Sequence, residues 1–438
     1  MTEENKQPIS WCEASLVVSF DKDIGGKIIA QNPSNITELY GEYFSSQIIF
    51  LAFPDRIQVN EIIETKYKIF TFRFPLIHSS IYCHVLFIQI PHIKSRESIQ
   101  RSLILITKNK EILPYHTLLY QLIPTFKENI FDVSSFLQVL EMKFISFPKY
   151  CPGKSVSLKL FGKRFDVTIS GKKPFPSLLR NYLRELRSIW VSLLVGDCIV
   201  VLGDDVCEVS ETVEYLVGLI FPLKYSGEIR PYFTINDPLI HTEKSLIIGV
   251  TNKMIPNIIQ KNRKITLLDN QNNIYLRHVV DKRFEVVKTM SDTQAGIEVE
   301  KEFERNTIEF LSIFDSFFIQ KVPKMKTLAD PFITASYTTQ EVIKYIKQFH
   351  FSSGKEETYI LFIHSHSFYR YCTSKISEIE QESLNQLNSL LDSFDMNQYT
   401  HEEISKITIN LFSLSKLPNA TINSKVERLI KLIVHSTS

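Results

Sequence analysis

A mixed α/β fold follows from three features of this 438-residue chain. Near its start, Ala14, Leu16, Val18 and Phe20 alternate with other residues, the period of two that marks a strand with one buried face. In the middle, the continuous apolar runs Cys198–Leu202 and Leu246–Val250 flank a stripe at helical spacing. That order predicts a parallel sheet covered on both sides. In the last third, the apolar residues of long segments recur at helical spacing instead. The expected layout is therefore an α+β module over residues 10–170, an α/β module over 175–292 and an all-helical module over 293–438. A chain of this length is too long for one ordinary core.

Taken in order, the first strand is followed by the turn residues Asp21 to Gly26, and Lys27–Gln31 returns as the second arm of a hairpin. Strands are expected at Gln47–Phe53, Ile69–Phe74, Ile81–Ile90 and Ser102–Thr107, and a helix at Thr117–Leu122 stopped by Pro124. Ser134–Phe147 has helical spacing, and Ser155–Ser170 suits two strands turning at Phe161-Gly162-Lys163. Gly153-Lys154-Ser155 has the ending of a phosphate-binding loop, but Pro148 stands where its first glycine is required, so the backbone cannot wrap a phosphate.

In the middle third, Leu178, Leu179, Tyr182, Leu183, Leu186, Ile189 and Trp190 form one helical stripe, with Trp190 assigned to the core. Arg180, Arg184 and Arg187 share another face, read as a solvated face or as a basic patch for an acidic partner. Val209, Val213, Leu216, Val217 and Ile220 make the helix between the two buried strands, closed by Pro222. In parallel sheets, ligands favour the loops beyond the carboxyl ends of the strands. Those loops are Gly203-Asp204-Asp205 and Thr251-Asn252, and neither carries a dinucleotide-binding glycine pattern. In the last third, helices are expected at Glu304–Lys321, Thr339–Phe349, Phe368–Phe394, Glu402–Leu414 and Ser424–Val434.

Composition narrows the function classes. With 44% hydrophobic and 22% charged residues the chain is globular in composition, and a net charge of +2 gives no reason to expect nucleic acid as a partner. Six dispersed cysteines without a C-x-x-C pair suit reduced thiols better than a disulfide framework or a zinc site. The polar N-terminus lacks the apolar core of a signal peptide, so a cytoplasmic protein is expected. His364 and His366, with Tyr369 and Arg370, lack further ligands at suitable spacing, and ordinary surface or packing histidines are the expectation. Neither G-x-S-x-G nor H-E-x-x-H occurs, so hydrolytic chemistry has no visible seat; no metal and no cofactor are expected.

The segments Ile189 to Leu202, Phe221-Pro222-Leu223-Lys224-Tyr225, Arg230-Pro231-Tyr232-Phe233-Thr234-Ile235-Asn236-Asp237 and Leu246 to Asn252 together resemble the central part of the DENN-domain proteins, in particular their type-6 branch. Weaker likeness extends to Trp11–Asp21, Phe53-Pro54-Asp55, Arg101–Ile106 and Phe368–Tyr371. Lys253 stands where that branch has proline and Asn236 where it has histidine. The resemblance implies a tripartite module: a longin-like upstream lobe, a central three-layer α/β lobe and a downstream helical lobe. It also implies a guanine-nucleotide exchange factor for a Rab-family small GTPase in vesicle or endosomal trafficking, with at most peripheral membrane association. By resemblance, Arg230, Tyr232, Phe233, Asp237 and Asn252 are the candidate partner-binding residues. The alternatives are a non-exchanging Rab effector or scaffold, and a GTPase-activating protein whose arginine finger would be Arg56 or Arg96.

Overall fold

A computed structural model describes residues 10–21, 23–55, 64–76, 80–91, 98–169, 173–235, 246–259, 264–268, 282–322, 325–330, 332, 336–351, 354–416 and 419–437. It divides into two compact units, Met1–Arg305 and Asn306–Ser438.

The first unit begins with β1 (Ala14–Asp21), β2 (Gly25–Asn32), α1 (Ile36–Tyr40), α2 (Glu42–Leu51), β3 (Lys66–Pro75), β4 (Ser80–Pro91) and β5 (Ser98–Thr107). The strands pair antiparallel in the order β2-β1-β5-β4-β3. Then follow α3 (Leu113–Glu128), α4 (Val133–Ser146) and the two-stranded β6 (Ser155–Leu160) and β7 (Lys163–Thr168). The sheet is covered on both faces. Val17, Leu86, Leu103 and Leu105 pack with Leu118, Leu122, Phe126, Leu137 and Leu140 of α3 and α4. Leu16, Val18, Phe70, Phe72, Val85 and Ile104 pack with Phe44, Ile48 and Leu51 of α2. Period-two alternation in β1 therefore separates two cores, where the sequence suggested one buried face and one exposed one.

Two of the elements expected before residue 170 differ in the structure. The sequence predicts a strand at Gln47–Phe53, yet this run lies largely in α2, because Phe44, Ile48 and Leu51 share one helical face that is buried against the sheet. A short apolar run fits either period, and packing decides. In α3 the helix runs through Pro124 to Glu128. An interior proline costs roughly 3 kcal/mol. The stripe Leu118, Leu119, Leu122 and Phe126 is fully buried, and each such side chain contributes about 1.5–3 kcal/mol, which outweighs it.

Next come a 3₁₀ turn (Ser177–Tyr182), α5 (Leu186–Val195), β8 (Cys198–Leu202), α6 (Val206–Gly218), β9 (Glu228–Arg230), β10 (Leu246–Val250), α7 (Ile255–Ile258) and β11 (Lys264–Leu268). The four strands are parallel, ordered β11-β8-β10-β9. Every residue of β8 and β10 is buried, as their unbroken apolar character required. The stripe from Leu178 to Trp190 is buried throughout, although it is divided between the 3₁₀ turn and α5 rather than carried on one helix. A second 3₁₀ stretch (Lys282–Thr289) leads into α8 (Asp292–Ile319), within which the division between units falls.

The described secondary structure of the second unit is helical: the end of α8, α9 (Thr339–Ile346), α10 (Lys355–Ile363), α11 (His366–Asp392), a short 3₁₀ turn (Met396–Gln398), α12 (His401–Leu414) and α13 (Ala420–Thr437). Leu387 and Leu391 of α11, Ile407 and Leu411 of α12 and Val426 of α13 share one core. Phe310, Phe314, Tyr359, Phe362 and Phe368 form a separate aromatic cluster, with edge and stacked ring contacts at 4.4–5.5 Å where they touch most closely. Thr338 and Thr400 head α9 and α12 with reciprocal capping boxes to Glu341 and Glu403. No helix among the described residues is long and apolar enough to cross a membrane.

Candidate functional site

Of the candidate residues, Arg230 and Tyr232 lie where β9 meets the antiparallel sheet. β9 ends at Arg230, and the chain then runs Pro231-Tyr232-Phe233 alongside β10, tied to it by the Phe233 N–H donating to the Gly249 carbonyl at 2.8 Å. Tyr232 enters the core of the antiparallel sheet, whereas Phe233 enters the core of the parallel one. One dipeptide thus contributes to both.

Tyr232 is 1% exposed. Its ring meets Phe70 of β3 edge-on at 5.2 Å between centroids. Its hydroxyl accepts from the Asp55 N–H at 2.7 Å and donates to the Phe53 carbonyl at 3.1 Å. Burial holds its pKa well above the usual phenol range, so it stays a neutral donor and acceptor. Arg230, 3% exposed, donates from Nη1 to the Arg73 carbonyl of β3 at 3.0 Å, and its guanidinium sits 6.0 Å from the Phe74 ring centroid. These two side chains fasten the end of β9 to the edge strand β3. Beside them Lys68 of β3 pairs with Asp205, which also caps α6 by accepting from the Cys207 and Glu208 N–H groups.

Gly249 explains why an aromatic connection and a glycine-bearing strand occur together. A Cβ there would lie 2.2 Å from the Pro231 carbonyl oxygen and 2.5 Å from Val209 Cγ1 of α6. Only a residue without a side chain lets the Arg230–Phe233 segment and α6 close onto β10.

Asn252 lies beyond the carboxyl end of β10 and is half-buried. Its Oδ1 accepts from the Met254 N–H at 2.9 Å, and its carbonyl accepts from the Ile255 N–H at 3.2 Å. It is a turn residue leading into α7, the plainer of the two roles its sequence position allowed. Asp237, Arg56 and Arg96 lie outside the described residues, as does Asn236. Structure therefore brings Arg230 and Tyr232 together on the antiparallel sheet, turns Phe233 to the other core, and sets Asn252 apart at the loop.

Arg180 and Arg184 are committed within the chain. Arg180 pairs with Asp292 at 2.6 Å and donates to the carbonyls of Val287 at 3.0 Å and Met290 at 2.9 Å. Arg184 donates from Nε to Glu285 at 2.6 Å. Sequence spacing placed these arginines on one face but could not show that the returning segment 285–292 covers it. His364, His366, Tyr369 and Arg370 are exposed at the junction of α10 and α11. Trp190 is buried, its ring 6.1 Å from that of Phe303.

No family model matches the chain. It is similar to protein DENND6A of Mus musculus, 25% identical over 311 residues that cover 57% of this chain and 50% of that protein. Protein DENND6A of Gallus gallus is 26% identical over 286 residues, 50% of this chain and 48% of that one. Protein DENND6B of Mus musculus is 23% identical over 309 residues, 57% and 52% respectively. The chain spans about half the length of the curated relatives it matches. These likenesses support the resemblance to type-6 DENN-domain proteins carried by the central segment.

Proposed function

Taking the chain as a DENND6-like DENN-domain protein, we propose that it promotes GDP release from a Rab-family small GTPase. The observation that carries this reading is the similarity to proteins DENND6A and DENND6B. On the same reading the lobes are residues 10–170, 175–292 and 293–438, and the protein works from the cytoplasm on vesicle or endosomal membranes.

Exchange asks for no covalent intermediate. The factor must bind the nucleotide-free GTPase more tightly than the loaded one, and linkage then requires that it weaken nucleotide binding by the same factor. GTPase switch segments have ordered and released arrangements, so a rigid surface that accepts only one of them supplies that coupling. The contacts of Arg230 and Tyr232 with Arg73 and Phe70 of β3 give such rigidity, since they join the end of β9 to the antiparallel sheet. In this proposal Arg230, Tyr232 and Phe233 set the surface from beneath, while Asn252 and Asp237 are the candidates for touching the GTPase.

The test is release of labelled GDP from a panel of Rab proteins, with and without the full chain. Catalytic acceleration for one Rab supports exchange. Binding of the GTP-loaded form without acceleration would replace exchange by an effector or scaffold role. Faster GTP hydrolysis that is lost in Arg56→Ala or Arg96→Ala would make the protein a GTPase-activating factor.

A further inference from the structure

Against the same edge strand β3, three metal-ligating groups converge from two distant parts of the sequence. His116 Nδ1 of α3 lies 3.0 Å from Glu211 Oε1 of α6, and Cys207 Sγ lies 3.4 Å from that same oxygen. One ligand atom from each of the three residues falls within 4.8 Å of the others. We propose that His116, Cys207 and Glu211 form a site for a borderline-soft divalent cation of the zinc class, with one coordination position left for water or a fourth donor. This proposal goes beyond the exchange reading and does not depend on it.

The geometry fits the ion. With zinc–ligand bonds of about 2.0–2.3 Å, donors around a tetrahedral centre stand roughly 3.3–3.7 Å apart. The spacings of 3.0 Å and 3.4 Å bracket the lower end of that range, and the His116–Cys207 pair, within 4.8 Å, would close onto the ion by side-chain rotation. Cys207 and Glu211 are one helical turn apart, so α6 presents both on one face towards His116. Metal binding would release to solvent the thiol proton that Cys207 now directs at Glu211, and one thiolate, one carboxylate and one neutral imidazole then match the charge of a divalent cation. Glu211 is partly exposed, its side chain at 39%, while His116 is buried, which gives the ion an entry route and a closed inner wall.

The hydrogen bonding behind His116 suits a ligand. Thr71 Oγ1 lies 3.0 Å from His116 Nε2 and 2.9 Å from His84 Nδ1. Its hydroxyl carries one proton. When that proton goes to His84, His116 must donate from Nε2, and its Nδ1 lone pair faces the Glu211 carboxylate. In that arrangement two acceptors stand 3.0 Å apart, a contact that a second proton on the imidazole or a bound cation would relieve. An imidazole whose far nitrogen is held by a fixed oxygen is the usual arrangement around protein-bound zinc. The bound ion would tie α3 to α6 and so brace the contact between the antiparallel sheet and the α/β half. Ligands 95 residues apart in the chain leave no spacing motif for sequence reading to find.

The full chain, stripped with a chelator, is titrated with Co²⁺ alone and then challenged with Zn²⁺. The proposal expects one equivalent of Co²⁺, a thiolate-to-cobalt charge-transfer band, and displacement of that band by Zn²⁺. Cys207→Ala should abolish the band, and Cys151→Ala, which alters another partly exposed thiol, should leave it. Glu211→Gln is conservative and lies at the surface, so it keeps the test open if the cysteine variant fails to fold. It should weaken Co²⁺ binding by more than the roughly 10-fold minimum typical of outer-shell changes. Absence of the charge-transfer band, its persistence in Cys207→Ala, or unchanged affinity in Glu211→Gln would each overturn the site. The three residues would then be a hydrogen-bonded cluster in which His116 Nδ1 donates to Glu211.

Discussion

Replacing Tyr232 by phenylalanine removes one oxygen atom from the contact between the two sheets and leaves the ring against Phe70. The lost hydroxyl serves two partners, the Asp55 N–H at 2.7 Å and the Phe53 carbonyl at 3.1 Å. A hydrogen bond inside a protein contributes a net 0.5–1.5 kcal/mol, roughly, and a buried polar group left without a partner costs about 1–3 kcal/mol. Asp55 is exposed, so water can replace the hydroxyl at its N–H, whereas Phe53 is buried and its carbonyl bond lies in the interior. The larger penalty therefore falls on one group only. The expected loss is about 2 kcal/mol, or about 30-fold in the unfolding equilibrium. Both tryptophans, Trp11 and Trp190, are buried in the first unit, so their fluorescence during urea unfolding reports on it. For a slope near 2 kcal/mol per molar urea, the midpoint should fall by about 1 M with the slope unchanged. Tyr232→Ala also removes the ring and should cost about 3–5 kcal/mol. A loss below about 0.5 kcal/mol in Tyr232→Phe would refute the reasoning, because it would mean that the hydroxyl makes no net contribution to joining the sheets.

Gly249→Ala should destabilise the first unit by at least the roughly 1–3 kcal/mol of an overpacked core, read by the same urea melts. Adding Val209→Ala should not restore it, since the closer clash, at 2.2 Å, is with the Pro231 backbone carbonyl. Full rescue by the double substitution would move the constraint from backbone to side chain. Arg180→Lys should lose nearly as much stability as Arg180→Ala, about 1–2 kcal/mol, because one ammonium cannot reproduce the fork that reaches Asp292 and the carbonyls of Val287 and Met290. Thermal melts of the two variants should nearly coincide, and wild-type behaviour in the lysine variant would show that charge alone suffices.

Where a residue's role depended on a neighbour close in sequence, the chain already disclosed it. Unbroken apolar runs marked Cys198–Leu202 and Leu246–Val250 as strands buried on both faces, and they are. Phe161 and Gly162 turn the β6–β7 hairpin at positive φ, as their place between two alternating stretches suggested. Asn252 reads as a turn residue from the proline that follows, and its side chain accepts from Met254 in that role. By contrast, the run at Gln47–Phe53 fits two periods over its short length, and only the sheet beneath it selects the helix.

Legible in the chain were the succession of an antiparallel sheet, a parallel sheet and a helical region, and the two buried strands at the centre of the α/β half. Periodicity and local turn chemistry act within a few residues, and those are written in the chain. Folding alone brings Arg230 and Tyr232 across to β3, Phe53 and Asp55, up to 179 residues away in the chain, while Phe233 serves the opposite core, and the same assembly decides the two pairings that follow. Gly249 is required by the carbonyl of Pro231, and His116 meets Cys207 and Glu211. Such pairings are set by which surfaces the sheets bury against one another. Burial is a property of the assembled chain, and no spacing along it encodes the distance between two residues that meet only after folding.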